Sequence, residues 1–149
     1  MRRTSQLAAV LLLAFADTVS GNCTVNVSGT SFGFYDPSNS TPTDSSGEII
    51  LNCTVGTAYI IKLDEGINSK GSYFPRRMRS TSGISTLDYN LYRDVIYNEV
   101  WGDGWGGTYT RSGSGTGYTE TLVIYGRIIP YQNVADGVYT DAISVLVEF

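Results

Sequence analysis

No long segment of this 149-residue chain carries a helical period. Its apolar residues come in short runs separated by Gly, Asn, Asp, Ser and Pro, the pattern of an all-β protein. Strands are expected near Thr24–Val27, Phe32–Tyr35, Glu48–Cys53, Ala58–Leu63, Leu87–Tyr92, Ile96–Val100, Thr119–Ile128 and Val138–Phe149. Between them, "DPSNSTPTDSSG" (Asp36–Gly47) and "DEGINSKGSYFP" (Asp64–Pro75) read as polar loops, and "SGSGTG" (Ser112–Gly117) as a hairpin tip. Seven or eight short strands over about 130 residues fit a single β-sandwich of immunoglobulin type.

The last segment, "DGVYTDAISVLVEF", sets a problem. Ile143, Val145, Val147 and Phe149 alternate along one face, with Leu146 on the other. An exposed, flat, apolar edge strand invites pairing with another chain, so folded proteins blunt or cover such edges. Either an internal strand covers this one, or a strand from another molecule does. Pattern alone leaves open which face of the strand points inward, because a shift of one residue exchanges the two.

The start of the chain has a different character. Arg2 and Arg3 precede the apolar run "LAAVLLLAFA", and Ala14-Phe15-Ala16 supplies small residues for cleavage. This is the pattern of a secretory signal peptide over residues 1–16, with an alternative end at 21, leaving a domain over 22–149. The run is short for a membrane span.

Lys and Arg number 10 against 14 Asp and Glu; without Arg2 and Arg3 the net charge is −6. Such a chain repels nucleic acid, so none is expected as a partner. Two cysteines, Cys23 and Cys53, in an exported chain are expected to form one disulfide. Four N-x-S/T triplets, at Asn22, Asn26, Asn39 and Asn52, fit chance in a chain rich in these residues.

The chain has no histidine, which removes the usual general base and the commonest metal ligand. Lys62 and Lys70 sit in no Ser–Lys motif. Glu99 and Asp103 flank Trp101 but read as solvated loop charges rather than a glycosidase pair. The Gly113-x-Gly115-x-Gly117 run lacks phosphate-loop spacing. No enzyme, cofactor or metal site is expected.

"YNEVWGDGWGGTYTRSGSGTGY" (Tyr97–Tyr118) holds both tryptophans among many glycines. One reading is a surface loop presenting Trp101, Trp105 and Tyr109 to a glycan or an apolar surface. The other is structural, with the rings in the core and the glycines in bulges. Alternation with Tyr97 and Glu99 favours the core for Trp101; for Trp105 the pattern decides nothing. The basic run "RRMR" (Arg76–Arg79) reads as a solvated face or a set of weak ion pairs.

Four motifs in order carry a resemblance: "LDYNLYRD" (Leu87–Asp94), "WGDG" (Trp101–Gly104), "VIYGRI" (Val123–Ile128) and "GVYTDAISVLVEF" (Gly137–Phe149). With Cys-Thr-Val at 23–25, a second Cys thirty residues on, and Arg–Met before the Leu-x-Tyr motif, the chain from Cys23 to Phe149 resembles the spore coat protein U domain family. That family includes subunits of archaic chaperone–usher pili. The resemblance implies an incomplete, pilin-type immunoglobulin-like sandwich completed by a donor strand. A periplasmic chaperone lends the strand, and at the outer-membrane usher a neighbouring subunit replaces it. Ile143, Val145, Val147 and Phe149 are then expected to line the acceptor groove. The implied course is export to the periplasm, then display on the cell surface as pilus or coat, with a role in attachment and biofilm formation.

A polymerising pilin carries its own donor segment, and spanning a groove takes about ten residues. Cleavage after Ala16 leaves "DTVSGN" before Cys23, with one apolar residue, Val19. By family analogy such a subunit accepts a strand without donating one, which places it at a fibre tip. The contrasting expectation is a self-folding extracellular binding module that uses the loop at 97–109.

Overall fold

The computed structural model describes residues 2–3 and 21–149. The segment read as a signal peptide lies almost wholly outside the described residues; the two-residue strand β1 (Arg2–Arg3) pairs with β3 (Gly33–Phe34). The remaining strands are β2 (Cys23–Ser28), β4 (Thr43–Cys53), β5 (Ala58–Leu63), β6 (Arg76–Ser80), β7 (Thr86–Tyr92), β8 (Arg111–Ser114), β9 (Thr119–Ile128), β10 (Tyr139–Thr140) and β11 (Val145–Glu148). They form a six-stranded sheet in the order β10–β6–β7–β9–β4–β2 and a three-stranded sheet in the order β11–β5–β8.

Alternation builds the core. Along β4 the inward residues Ile49, Leu51 and Cys53 are buried while their neighbours face solvent. β5 contributes Tyr59, Ile61 and Leu63, β7 contributes Leu87, Tyr89 and Leu91, and β9 contributes Ile124 and Ile128. Residues from both sheets make one cluster, so the layers share a single apolar interior. Gly126 on β9 is needed for this packing: a Cβ there would lie 2.7 Å from the Phe32 ring. Cys23 and Cys53 face each other across β2 and β4 and form the disulfide.

The expected strands at Ala58–Leu63 and Thr119–Ile128 match β5 and β9. Other expectations fail, the first being the polar loop at Asp36–Gly47, whose residues 43–47 open β4. Ile96–Val100 is no strand, because the Asp94 carboxylate accepts hydrogen bonds from the backbone of Asn98 and Glu99 and folds the segment into a turn. Val95 and Ile96 are left in solvent. The basic run is a strand, β6, whose alternation turns Arg76, Met78 and Ser80 inward. Residues 112–114 of the expected hairpin tip belong, with Arg111, to β8, which pairs with β5.

The expected final strand, Val138–Phe149, divides. β10 pairs with β6 in the large sheet, and β11 pairs with β5 in the small one. The crossing between them is stapled to the loop after β5. Asp64 donates its backbone N–H to the Ser144 carbonyl (3.1 Å) and accepts the Ser144 N–H on its carboxylate (3.0 Å). The Ile67 N–H reaches the Ala142 carbonyl (3.2 Å).

Candidate strand-acceptor edge

Edges distinguish this sandwich. β8 ends the small sheet with four residues, Arg-Ser-Gly-Ser, and β10 ends the large sheet with two. Short or polar edges of this kind resist pairing. The other two edges are β11 and β2. β11 presents Val145 and Val147 inward, both buried, with Leu146 and Glu148 on the outer face. β2 turns Val25 and Val27 inward, and these remain only partly buried. Both edges carry apolar inner faces.

The two edges lie on the same side of the sandwich. At the β8 end, Arg111 donates a hydrogen bond to the Arg93 carbonyl just beyond β7 (2.7 Å). In the middle, Tyr59 of β5 donates to Glu120 of β9 (3.0 Å). This order turns the free edge of β11 towards β4 and β2. In immunoglobulin lettering, β2–β4–β9–β7 correspond to A-B-E-D, and β5 and β11 to C and F. Strand G of that fold lies beside F. Among the described residues, that side of β11 has no partner.

The structure fixes the face that the pattern left open. Ile143, Val145 and Val147 are buried and point into the core, and Leu146 does not. Phe149 has their parity but lies past the end of β11 and is 37% exposed.

The aromatic loop divides between the two readings. Trp101 is fully buried and donates its indole N–H to the Ile61 carbonyl (3.1 Å), so it presents no ring to a ligand and the surface role is corrected for it. Trp105 is 80% exposed and Tyr109 42%. Asp103 shapes the turn that carries Trp105: its carboxylate accepts the Trp105 N–H (2.9 Å) and the Thr108 hydroxyl (3.1 Å). Gly104 and Gly107 adopt left-handed backbone there, at φ 92° and 87°.

Sequence reasoning missed a buried polar network between the end of β5 and strands β6 and β7. Arg76 is fully buried; its guanidinium donates to the carbonyls of Asp64 (2.6 and 2.9 Å) and Trp101 (2.7 Å) and to the Asn90 side chain (2.8 Å). Burial lowers its pKa from the usual arginine value. Tyr89 donates to Asp141 (2.6 Å), and so does Asn68 (2.9 Å); burial raises the Asp141 pKa. The period-2 alternation of "RRMRS" was the available signal, masked by its charge. The network ties the carbonyl ends of β5 and of Trp101 to β6 and β7, holding in place the end of the sheet where β11 starts.

A family model, the Spore Coat Protein U domain, matches residues 9–146. This chain belongs to that family. Protein U of Myxococcus xanthus is 29% identical over 149 residues, 88% of this chain and 79% of that protein. A chain in the crystal structure of the CsuC–CsuE chaperone–tip adhesion subunit pre-assembly complex, from archaic chaperone–usher Csu pili of Acinetobacter baumannii, matches with a TM-score of 0.61. Identity is 24%, over 89% of this chain and 41% of that one, so this chain spans about two fifths of the solved one. The E. coli Hda pilus minor tip subunit HdaB matches with a TM-score of 0.46 and 13% identity, over 83% of this chain and 79% of that one. The fold is therefore the immunoglobulin-like sandwich of pilus subunits, as the resemblance implied.

Proposed function

We propose that this chain is a non-enzymatic surface subunit whose sandwich is completed by a strand from another molecule. The observation that carries the reading is the free edge of β11, apolar on its inner face and set in the position of strand F. A strand docking there gains main-chain hydrogen bonds along the edge and inserts alternate side chains between the two sheets. Val145, Val147 and Ile143 form the floor of the acceptor site, and Val25 and Val27 form part of its opposite wall.

Export through the segment at 1–16, or 1–21, brings the chain to the periplasm. There a pilus chaperone supplies the strand first, and at an outer-membrane usher a neighbouring subunit takes its place. The assembled product is a pilus or coat that supports attachment and biofilm formation. Trp105 and Tyr109, exposed on a tightly tied loop, are the side chains available for contact with a surface.

Export of the full chain with and without a partner chaperone tests the proposal. The soluble yield should depend on the chaperone, and the recovered chain should be bound to it. A monomer that folds and accumulates equally well alone would instead support a self-sufficient binding module.

A further inference from the structure

A cavity separate from the acceptor edge lies on the solvent face of the large sheet, where β7 runs between β6 and β9. Leu87, Tyr89 and Leu91 of β7 point into the core, so Asp88, Asn90 and Tyr92 alternate onto the other face. These three line a cavity of about 230 Å³. Phe74 and Pro75, just before β6, form one wall; Arg127 and Ile129, at the end of β9, form the other. Neighbouring strands lie about 4.8 Å apart, so the walls stand roughly 10 Å apart across β7. Phe74 and Ile129 are half exposed and offer apolar surface at the rim. Both charged residues of the lining already have partners: Asp88 accepts from Arg77 (3.1 Å), and Arg127 donates twice to Asp44 (2.7 Å each). The polar groups are also held still. The Gln132 side chain accepts the Asp88 N–H (2.7 Å) and donates to the Asp88 carbonyl (2.8 Å). The Arg127 guanidinium stacks on the Tyr97 ring, 3.6 Å from its centroid. Asn90 accepts from Arg76 and donates to the Tyr73 carbonyl. Two groups keep unused capacity: the Tyr92 hydroxyl and the second carboxylate oxygen of Asp88 have no hydrogen-bond partner among the described residues.

We infer that this cavity binds a neutral hexose unit of a glycan. The walls and the free polar atoms ask for a ligand with one apolar face and several groups that both donate and accept. The C–H face of a pyranose packs on the Phe74 ring and Ile129. Its hydroxyls donate to the Asp88 carboxylate and exchange hydrogen bonds with the Tyr92 hydroxyl. Charge argues for neutrality. An anion would meet Asp88 and a cation would meet Arg127, so a charged ligand gains on one side what it loses on the other. The side chains that would touch the sugar are already fixed by bonds within the chain, so little order is lost on binding. The inference does not depend on strand acceptance. A docking strand enters between the two sheets, and this cavity opens on the outer face of one of them.

Neutral hexasaccharides of glucose, mannose and galactose test this, titrated onto the soluble chain, alone or in its chaperone complex, with amide NMR shifts as the readout. At least one should bind with a Kd of about 1 mM or below and shift the amides of residues 88–92 and 127–129. Its affinity should not change with salt, and a hexuronate oligomer should bind no more tightly. Phe74→Ala should weaken it about tenfold and Tyr92→Phe roughly fivefold. Neither should move the unfolding midpoint much, since Phe74 is half exposed and phenylalanine keeps the ring at 92. Trp105→Ala should leave the affinity unchanged. Failure of all three neutral oligomers to bind at about 10 mM overturns the inference. So does binding that Trp105→Ala abolishes and Phe74→Ala spares, which would put the sugar on the aromatic loop. A preference for the acidic oligomer that fades in high salt overturns it as well.

Discussion

Arg76 shows how much one residue can organise. A guanidinium buried beside the end of β5 donates only to neutral oxygens, so it acts as a clamp on the Asp64 and Trp101 carbonyls rather than as half of an ion pair. Arg76→Leu removes those donors and strands the acceptors. A loss of about 3 kcal/mol is expected in a urea denaturation midpoint, although leucine is the more apolar residue. A contrasting surface residue is Asp44, which accepts two hydrogen bonds from Arg127, both 2.7 Å. Those bonds hold its pKa below the ordinary aspartate value of 3.8, against a smaller opposing effect of burial. Its folded-state pKa is depressed, so its stabilising contribution is present above 3.8 and is lost as pH falls through the folded value. Asp44→Asn should lower stability slightly in the neutral region and flatten the acid limb, so that variant and parent converge as pH falls below the folded value. Unfolding midpoints between pH 2 and 7 measure this.

At the scale of elements, alternation made β5 and β9 legible, since each is a run of apolar and polar residues bounded by clear breakers. Two other strands escaped because another feature dominated. In β6 the charge of three arginines hid a period of two, and burial of a cation is decided by tertiary hydrogen bonds that local sequence does not show. In β8 the composition Arg-Ser-Gly-Ser is that of a turn, and only pairing with β5 makes it a strand. Ile96–Val100 failed the other way: an apolar pair was read as a strand where the Asp94 cap imposes a turn. β11 was legible in pattern and ambiguous in parity, which the pairing Val145↔Leu63 settles. Its two faces should respond differently. Val145→Ala and Val147→Ala are each expected to cost about 2 kcal/mol in the urea midpoint and to weaken strand capture. Leu146→Ala, on the outer face, should cost about 1 kcal/mol or less.

The whole molecule follows from how its edges are treated. Two sheet edges are short or polar, and two are apolar on their inner faces. The apolar pair meets on one side, where the immunoglobulin plan places strand G. Membership of the spore coat protein U domain family, legible from four motifs and the cysteines, agrees with that plan. The Asp64–Ser144 staple and the disulfide hold the ends of β11 and β2 in place, so the two edges of the proposed acceptor site are organised by the chain itself. A partner would then need to order only its own strand, which limits the entropy lost on docking.

Amide hydrogen exchange across Val145–Glu148, in the chain alone and with an alternating apolar peptide, tests the central claim most directly. In an antiparallel strand, alternate amides point to opposite edges. The expected result is that the amides facing β5 exchange slowly throughout, while those facing the other way exchange rapidly until the peptide is added and then slow sharply. Uniform slow exchange of the whole strand without peptide would contradict the account, because it would mean that the edge is already paired within the chain.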